Sequence, residues 1–253
     1  MSHVVALRGP MGSYKSSFAN SNQGKKHWFD LEMGAHRAWQ FDASQSNLWQ
    51  LPKLDGDAVL ASLMAGKKSK VVGRIAQYEA IATEFIRVIQ DPQITDIVFD
   101  TAKELWTICH QAFLEERQSE KAGKETLSPI EYATPNTRMA NLIYLARNAD
   151  KNLWLINHER PIYKDMIVDG KMEKVASDEM ELDGWSKTLD LADWIFVTRF
   201  DKESKKATIT CEKSEQDSAL VGEIVPGNPP TWTGWLAYTL AKAKTGATTT
   251  SDS

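Results

Sequence analysis

The chain has 253 residues, 42% apolar and 25% charged, which is enough for a full-sized core in one α/β domain or two small ones. A net charge of −4 excludes a global basic footprint, so any contact with nucleic acid has to be local. The two cysteines, Cys109 and Cys211, lie in unrelated contexts. With no N-terminal apolar h-region and no 18-residue apolar window, they point to a reduced, cytoplasmic protein with no membrane span.

Residues 3–8 form an apolar, strand-prone run that ends in Gly9-Pro10-Met11-Gly12-Ser13-Tyr14-Lys15-Ser16-Ser17, with a helix expected over 15–20. Strand, glycine-rich turn and a helix opened by Lys-Ser is the layout of a phosphate-binding loop. Gly9 and Gly12 let backbone N–H groups turn inward. The helix start then offers unpaired N–H groups and the positive end of its dipole. Lys15 is placed to reach β- and γ-phosphates, and the Ser16 hydroxyl to ligand Mg2+. One position departs from the G-x-x-x-x-G-K-[ST] spacing. The glycine before the lysine is Tyr14, which can lie in a helical conformation but must turn its ring away from the phosphates or over the nucleotide.

A second strand is expected over 27–31, closing on Glu32, and irregular structure packed on the sheet edge over 35–55. A helix over 57–65 stops at Gly66, and the basic residues Lys67, Lys68 and Lys70 lead into Arg74 and a helix over 74–90 with helical apolar spacing. The third strand, 95–100, closes on Asp100; a helix over 101–120, a loop over 121–135 and a helix over 136–148 follow. The fourth strand, 153–158, ends in Asn157-His158. Next come a hairpin, 162–167 with 172–176 around a turn at 168–171, a helix over 185–193, and strands over 194–200 and 207–211. A helix over 232–244 ends the ordered chain, giving one domain over 1–245, and the polar residues 246–253 are expected to be disordered. Strands alternating with helices imply an α/β fold with a mainly parallel sheet flanked by helices and a hairpin insertion after the fourth strand.

In such a sheet ligands sit beyond the carboxyl ends of the strands. Asp100, after four apolar residues, has the setting of a Walker B acid that orients Mg2+; its other role would be to cap the helix beginning at Thr101. Glu32 is placed to orient or deprotonate water attacking a γ-phosphate, with Asp30 the competing carboxylate. His158 could hydrogen-bond that phosphate and sense its loss. The basic cluster at 67–74 is either a nucleic-acid contact or a solvated helix entry.

Taken together, Gly9 to Ser16, Phe29-Asp30-Leu31-Glu32, Ile97-Val98-Phe99-Asp100 and Leu155-Ile156-Asn157-His158-Glu159 resemble the core of RecA-like P-loop ATPases. The nearest likeness is to the phage-encoded branch that includes single-strand annealing proteins, over roughly residues 3–225. The resemblance implies ATP and Mg2+ as cofactors, single-stranded DNA as a partner, a homo-oligomer and, for a phage protein, the host cytoplasm. It implies catalytic roles for Lys15 and for Glu32 as the glutamate ending the second strand. His158 takes the place of the polar residue that couples γ-phosphate to the DNA-binding loop. Residues 159–183 occupy the place of the second DNA-binding loop, and Lys213 falls near a lysine that reaches a neighbour's nucleotide. Two features depart from the family pattern: Tyr14 itself, and a 159–183 segment with four basic side chains against eight acids, 4 − 8 = −4. A nucleotide-binding regulatory or assembly protein with little turnover is the competing function.

Overall fold

Apolar runs without a polar alternation suit strands covered on both faces, and the chain supplies several: Val4–Arg8 (β1), Ile94–Asp100 (β4), the first part of Asn152–Val168 (β5) and Trp194–Asp201 (β7), joined by Lys25–Asp30 (β2), which is buried although only Trp28 and Phe29 in it are apolar. With Ser46–Gln50 (β3) and Lys206–Ser214 (β8) they form a sheet in the order β3-β2-β4-β5-β1-β7-β8, and Lys171–Asp183 (β6) pairs with β5 alone. Neighbours from β3 to β7 run parallel, while β8 is antiparallel to β7 and β6 to β5. The computed structural model describes residues 2–248, apart from 39–40, 65–70, 122–123 and 169–170.

The helices are Lys15–Asn20 (α1), Gly56–Met64 (α2), Arg74–Gln90 (α3), Ala102–Glu120 (α4), Ala133–Asn148 (α5), Thr188–Leu191 (α6) and Trp232–Thr248 (α7). Strand period two divides the core. Val4 and Ala6 join Phe29, Ile97, Phe99 and Leu155 under α3, α4 and α5, which contribute Phe85, Ile108 and Ile143. Val5 and Leu7 join Trp28, Trp154, Trp194 and Phe196 on the opposite face, under Phe18 of α1 and Trp232 and Trp235 of α7. With Trp185 of the first core, six of the nine tryptophans are core residues under 3% exposed. Both cysteines are buried and free, and no described helix is long and apolar enough to cross a membrane.

The expected class is therefore present: a mainly parallel α/β sheet flanked by helices, with a hairpin from His158 onwards. Several local expectations need correction. Residues 46–50, expected to be irregular, form edge strand β3, paired residue for residue with 26–30 of β2. Leu48 and Trp49 are adjacent there, so no alternation announces the strand, and backbone pairing with β2 makes it. The hairpin is longer than 162–176: β5 runs unbroken to Val168 and β6 to Asp183. Pro161 looks like a breaker, but it stands beside a register shift and beyond Asn157, where pairing with β1 ends, so a missing N–H is tolerated. The ribbon from His158 onwards projects beyond the sheet by roughly 30 Å at about 3.3 Å per residue. Its turn at 169–170 lies outside the described residues, as do Lys67, Lys68 and Lys70.

The helix expected over 185–193 shrinks to one turn, α6, whereas the loop expected over 121–135 becomes helical from Pro129 onwards. A capping box explains the second change: Glu131 accepts from the Ser128 backbone N–H at 2.8 Å and opens the turn Pro129–Tyr132. At the C-terminus α7 continues to Thr248, through the first residues of the segment expected to be disordered, and 249–253 lie outside the described residues.

Phe29 carries much of the first core. It is fully buried and stacks on Phe99 with ring centroids 4.5 Å apart. Phe29→Ala should cost about 3–5 kcal/mol, read as a lower urea midpoint, whereas Ile86→Ala on the solvent side of α3 should move it little.

Candidate functional site at the carboxyl edge of the sheet

Parallel pairing decides what meets at this edge. Arg8 is level with Asn157 of β5 and Val197 of β7, and Asp30 is level with Asp100. The loop after β1, the end of β2, the end of β4 and the base of the hairpin therefore converge. They line a cavity of about 370 Å³ whose walls include Gly12, Ser13, Tyr14, Lys15, Ser16, Glu32, Asp100 and His158. Strand order reverses direction around β1, the position at which open α/β sheets form ligand crevices. Gly9 and Pro10 are not among the lining residues, and their carbonyls accept from Lys15.

The loop owes its path to close packing. A Cβ on Gly9 would stand 2.4 Å from Thr198 Oγ1 and 2.5 Å from Thr198 O, closer than any side chain permits. The Thr198 hydroxyl of β7 also meets Ser13 Oγ at 2.6 Å, a buried contact that ties the loop to the neighbouring strand. Gly12 has φ 74° with open space around it, so its requirement is backbone conformation alone. Tyr14 is not helical: it holds φ 78°, ψ 9° as the residue before α1, the left-handed conformation that a glycine adopts without strain. Its ring packs against the Phe18 and Trp28 side of the core, and burial pushes its phenol up to about 12.

Lys15 is 5% exposed and curls back into the loop, donating to Gly9 O at 2.9 Å, Pro10 O at 2.7 Å and Ser13 Oγ at 3.4 Å. Burial lowers its pKa to about 8, against the opposing pull of Asp100, Glu159 and Glu32. Ser16 Oγ donates to Asp100 Oδ2 at 2.7 Å. Burial pushes the Asp100 carboxyl up, partly offset by that hydrogen bond, and the facing Asp30 and Glu32 push the same way as burial. Asp100 does not cap α4. That task falls to Thr101, whose hydroxyl accepts from Glu104 N.

The two carboxylates ending β2 are separated by function. Asp30 is buried and its Oδ1 accepts from Gly34 N at 2.7 Å and Ala35 N at 3.1 Å, which shapes the turn Ala35–Arg37. Glu32 reaches the cavity, accepting from Thr101 Oγ1 at 2.7 Å and lying 3.3 Å from His158 Nε2. The His158 contact, more than any other, holds the Glu32 carboxyl below its ordinary range. Asp183 of β6, opposite His158 in the ribbon, pairs with Lys103 of α4, so the hairpin base is joined to both β2 and α4.

Other residues of this edge have no signature in the sequence. Glu159, with its side chain 1% exposed, is clamped by Arg8 at 2.8 Å and Arg199 at 2.9 Å. Thr198 and Arg37 were equally silent; a buried polar residue ending an apolar strand is the only hint the former gives. Lys213 stands at the other end of the sheet, level with Ile195, and donates to Leu189 O, Asp190 O and Ala192 O at the end of α6.

No family model matches the chain, and no curated protein matches its sequence. Among solved structures it is similar to a KaiC-like protein from the hyperthermophilic archaeon Pyrococcus horikoshii, at 10% identity, covering 88% of this chain and 83% of that one, with a TM-score of 0.47. It is also similar to RadB recombinase, at 10% identity, covering 88% of this chain and 85% of that one, with a TM-score of 0.45.

Gly9 and Gly12 separate close approach from backbone strain. Gly12→Ala should destabilise by about 1–2 kcal/mol, the cost of a left-handed non-glycine residue. Gly9→Ala should cost more, because Thr198 has to move. Urea midpoints of the two variants, and the reverse order if it is found, decide whether contact with β7 fixes the loop.

Proposed function

We propose that this protein is a RecA-like P-loop ATPase that binds ATP with Mg2+, hydrolyses it and acts on DNA in recombination or replication. One observation carries the nucleotide part: Lys15, Ser16, Glu32, Asp100 and His158, from four separate strand ends, share a single cavity beside the start of α1. In this reading residues 9–17 hold the phosphates, with Lys15 turning from its loop carbonyls towards them. The donor set suits Mg2+, because Ser16 Oγ and Asp100 Oδ2 are two hard oxygens 2.7 Å apart. Among the described residues no three His, Cys, Asp or Glu side chains are placed to hold a metal ion by themselves, so phosphates and water would complete the ion's shell. When bound, Mg2+ would neutralise charge on the phosphates.

Glu32 faces the cavity, and Asp30 is committed to its turn, so Glu32 is the carboxylate for the attacking water. Its pKa is lowered, which makes it a weak base and better suited to orienting water than to holding its proton. His158, on Glu32 and at the root of the hairpin, would pass the state of the γ-phosphate to that ribbon. The DNA partner, the homo-oligomer, the phage-encoded branch and the host cytoplasm rest on the motif resemblance alone, as does a role of Lys213 at a neighbour's nucleotide.

A second reading, a nucleotide-dependent regulatory or assembly protein with little turnover, has its own observation. The ribbon is acidic, and two of its four basic residues are neutralised within it, Arg160 by Glu181 at 2.8 Å and Lys164 by Glu179 at 2.6 Å. Steady-state ATPase rates with and without single-stranded DNA separate the two. Stimulation by DNA supports the first, and tight ATP binding with negligible turnover in either condition supports the second. In the first case Glu32→Gln should retain ATP affinity and lose about 10²–10⁴-fold in kcat. Turnover like the parent's would return the role to Asp30.

Lys15 gives a pH dependence with a definite sign. A lysine lowered to about 8 is mostly neutral at pH 9, and binding a phosphate anion requires it to take up a proton. ATP affinity should thus be level below about pH 7 and fall as pH rises through 8, by at most about tenfold per unit. Titration calorimetry at pH 7 and pH 9 in two buffers of different ionisation enthalpy reads both the fall and the proton. A flat profile with no proton uptake removes Lys15 from the phosphate site.

A further inference from the structure

Of the nine arginines in the sequence, the eight other than Arg37 each form an ion pair with a carboxylate. Arg37 has neither an ion pair nor a hydrogen-bonded side-chain partner among the described residues, and it lines the cavity that holds Lys15, Ser16, Glu32 and Asp100. Its exposure alone would signify nothing. What distinguishes it is the turn that carries it. Asp30 uses a buried carboxylate to fix the N–H groups of Gly34 and Ala35. The guanidinium then folds back over Gly34, where an added Cβ would stand 2.9 Å from Nη2. A side chain at 34 would push the guanidinium off this path.

The charge of the cavity supplies the second argument. Its walls carry two carboxylates, Glu32 and Asp100, against one buried lysine. A nucleoside triphosphate adds several more negative charges. Arg37 is the other permanent cation of the wall, with its five donors unspent on protein.

We propose that Arg37 contacts the terminal phosphate of a nucleoside triphosphate from within the same chain, so that this site distinguishes triphosphate from diphosphate. The proposal rests on the ATP-binding reading above. Planar, forked donors suit phosphate oxygens, and a charged hydrogen bond of this kind is strong enough to set the preference between nucleotides.

The test compares a non-hydrolysable ATP analogue with ADP, both with Mg2+, on the wild-type protein, Arg37→Ala, Arg37→Lys and Lys15→Ala. Arg37→Ala should bind the triphosphate analogue at least about tenfold more weakly and ADP less than about threefold more weakly, a difference in keeping with one charged hydrogen bond. Arg37→Lys should recover part of the difference, and Lys15→Ala should weaken both ligands. Equal weakening of both ligands in Arg37→Ala would make Arg37 a contact for the base or the inner phosphates and overturn the proposal. Unchanged binding of both would overturn it as well. Wild-type protein that binds neither ligand would defeat the ATP-binding reading itself, a separate result. Arg37 is exposed, so the variants should keep the wild-type circular dichroism and melting temperature. Should Arg37→Ala melt early, Arg37→Lys alone decides, because it keeps the charge and loses the fork: an unchanged triphosphate-to-diphosphate ratio would overturn the proposal.

Discussion

The site depends on how closely the loop after β1 approaches Thr198. Two parallel strands lie about 4.8 Å apart, which leaves no room for a side chain where the loop of one crosses the end of the other. Gly9 satisfies that limit, and the Thr198 hydroxyl bridges the loop by meeting Ser13 Oγ and donating to Arg8 O at 3.3 Å. With the loop tied at that point, Gly12 and Tyr14 complete the turn in left-handed conformations, and the first residues of α1 line the cavity. The tie is a packing contact, and under the proposed reading the phosphate site is built on it.

Charge is the second constraint. Three carboxylates, Asp30, Glu32 and Asp100, crowd the ends of adjacent strands, and a fourth, Glu159, lies buried nearby. Each is stabilised differently. Asp30 takes backbone N–H groups, Glu159 takes two arginines, and Glu32 takes a hydroxyl and a histidine. Asp100 has only the Ser16 hydroxyl and a lysine occupied elsewhere, so burial dominates and its carboxyl is pushed up. Of the four, Asp100 gains most from an added cation, which under the proposed reading is the metal's place.

The legible parts of the sequence were those in which chemistry and local structure coincide. The loop from Gly9 to Ser17 states its own spacing, and Asp100 follows an apolar run that can only be an interior strand. Strand β3 escaped because its order comes from pairing with β2 and not from its own pattern. The full ribbon escaped because Pro161 imitates a terminus. Arg37 and Thr198 escaped for a different reason. A lone arginine and a lone threonine have no pattern, and their meaning comes from neighbours 34 and 9, glycines whose missing side chains leave the space. Separating Glu32 from Asp30 likewise needed the turn at Ala35–Arg37, which shows where the second carboxylate is spent.

Tyr14 shows how such a loop survives the loss of its usual residue. A left-handed tyrosine costs about 1–2 kcal/mol relative to glycine. Burying a large aromatic side chain against apolar neighbours returns a comparable amount, about 1.5–3 kcal/mol when complete. Here the partly buried ring packs against the second core, so the two effects are of similar size and the backbone keeps the glycine-type turn. The substitution therefore acts on space more than on conformation. Tyr14 is also part of the cavity wall, alongside Lys15 and Arg37, so volume that a glycine would leave empty is taken by protein. Under the proposed reading phosphate would be held by the loop's N–H groups, which the tyrosine leaves in place. Turnover would also need room for water and for Lys15 to turn towards the phosphates, and under the same reading an added ring bears on that step more than on binding.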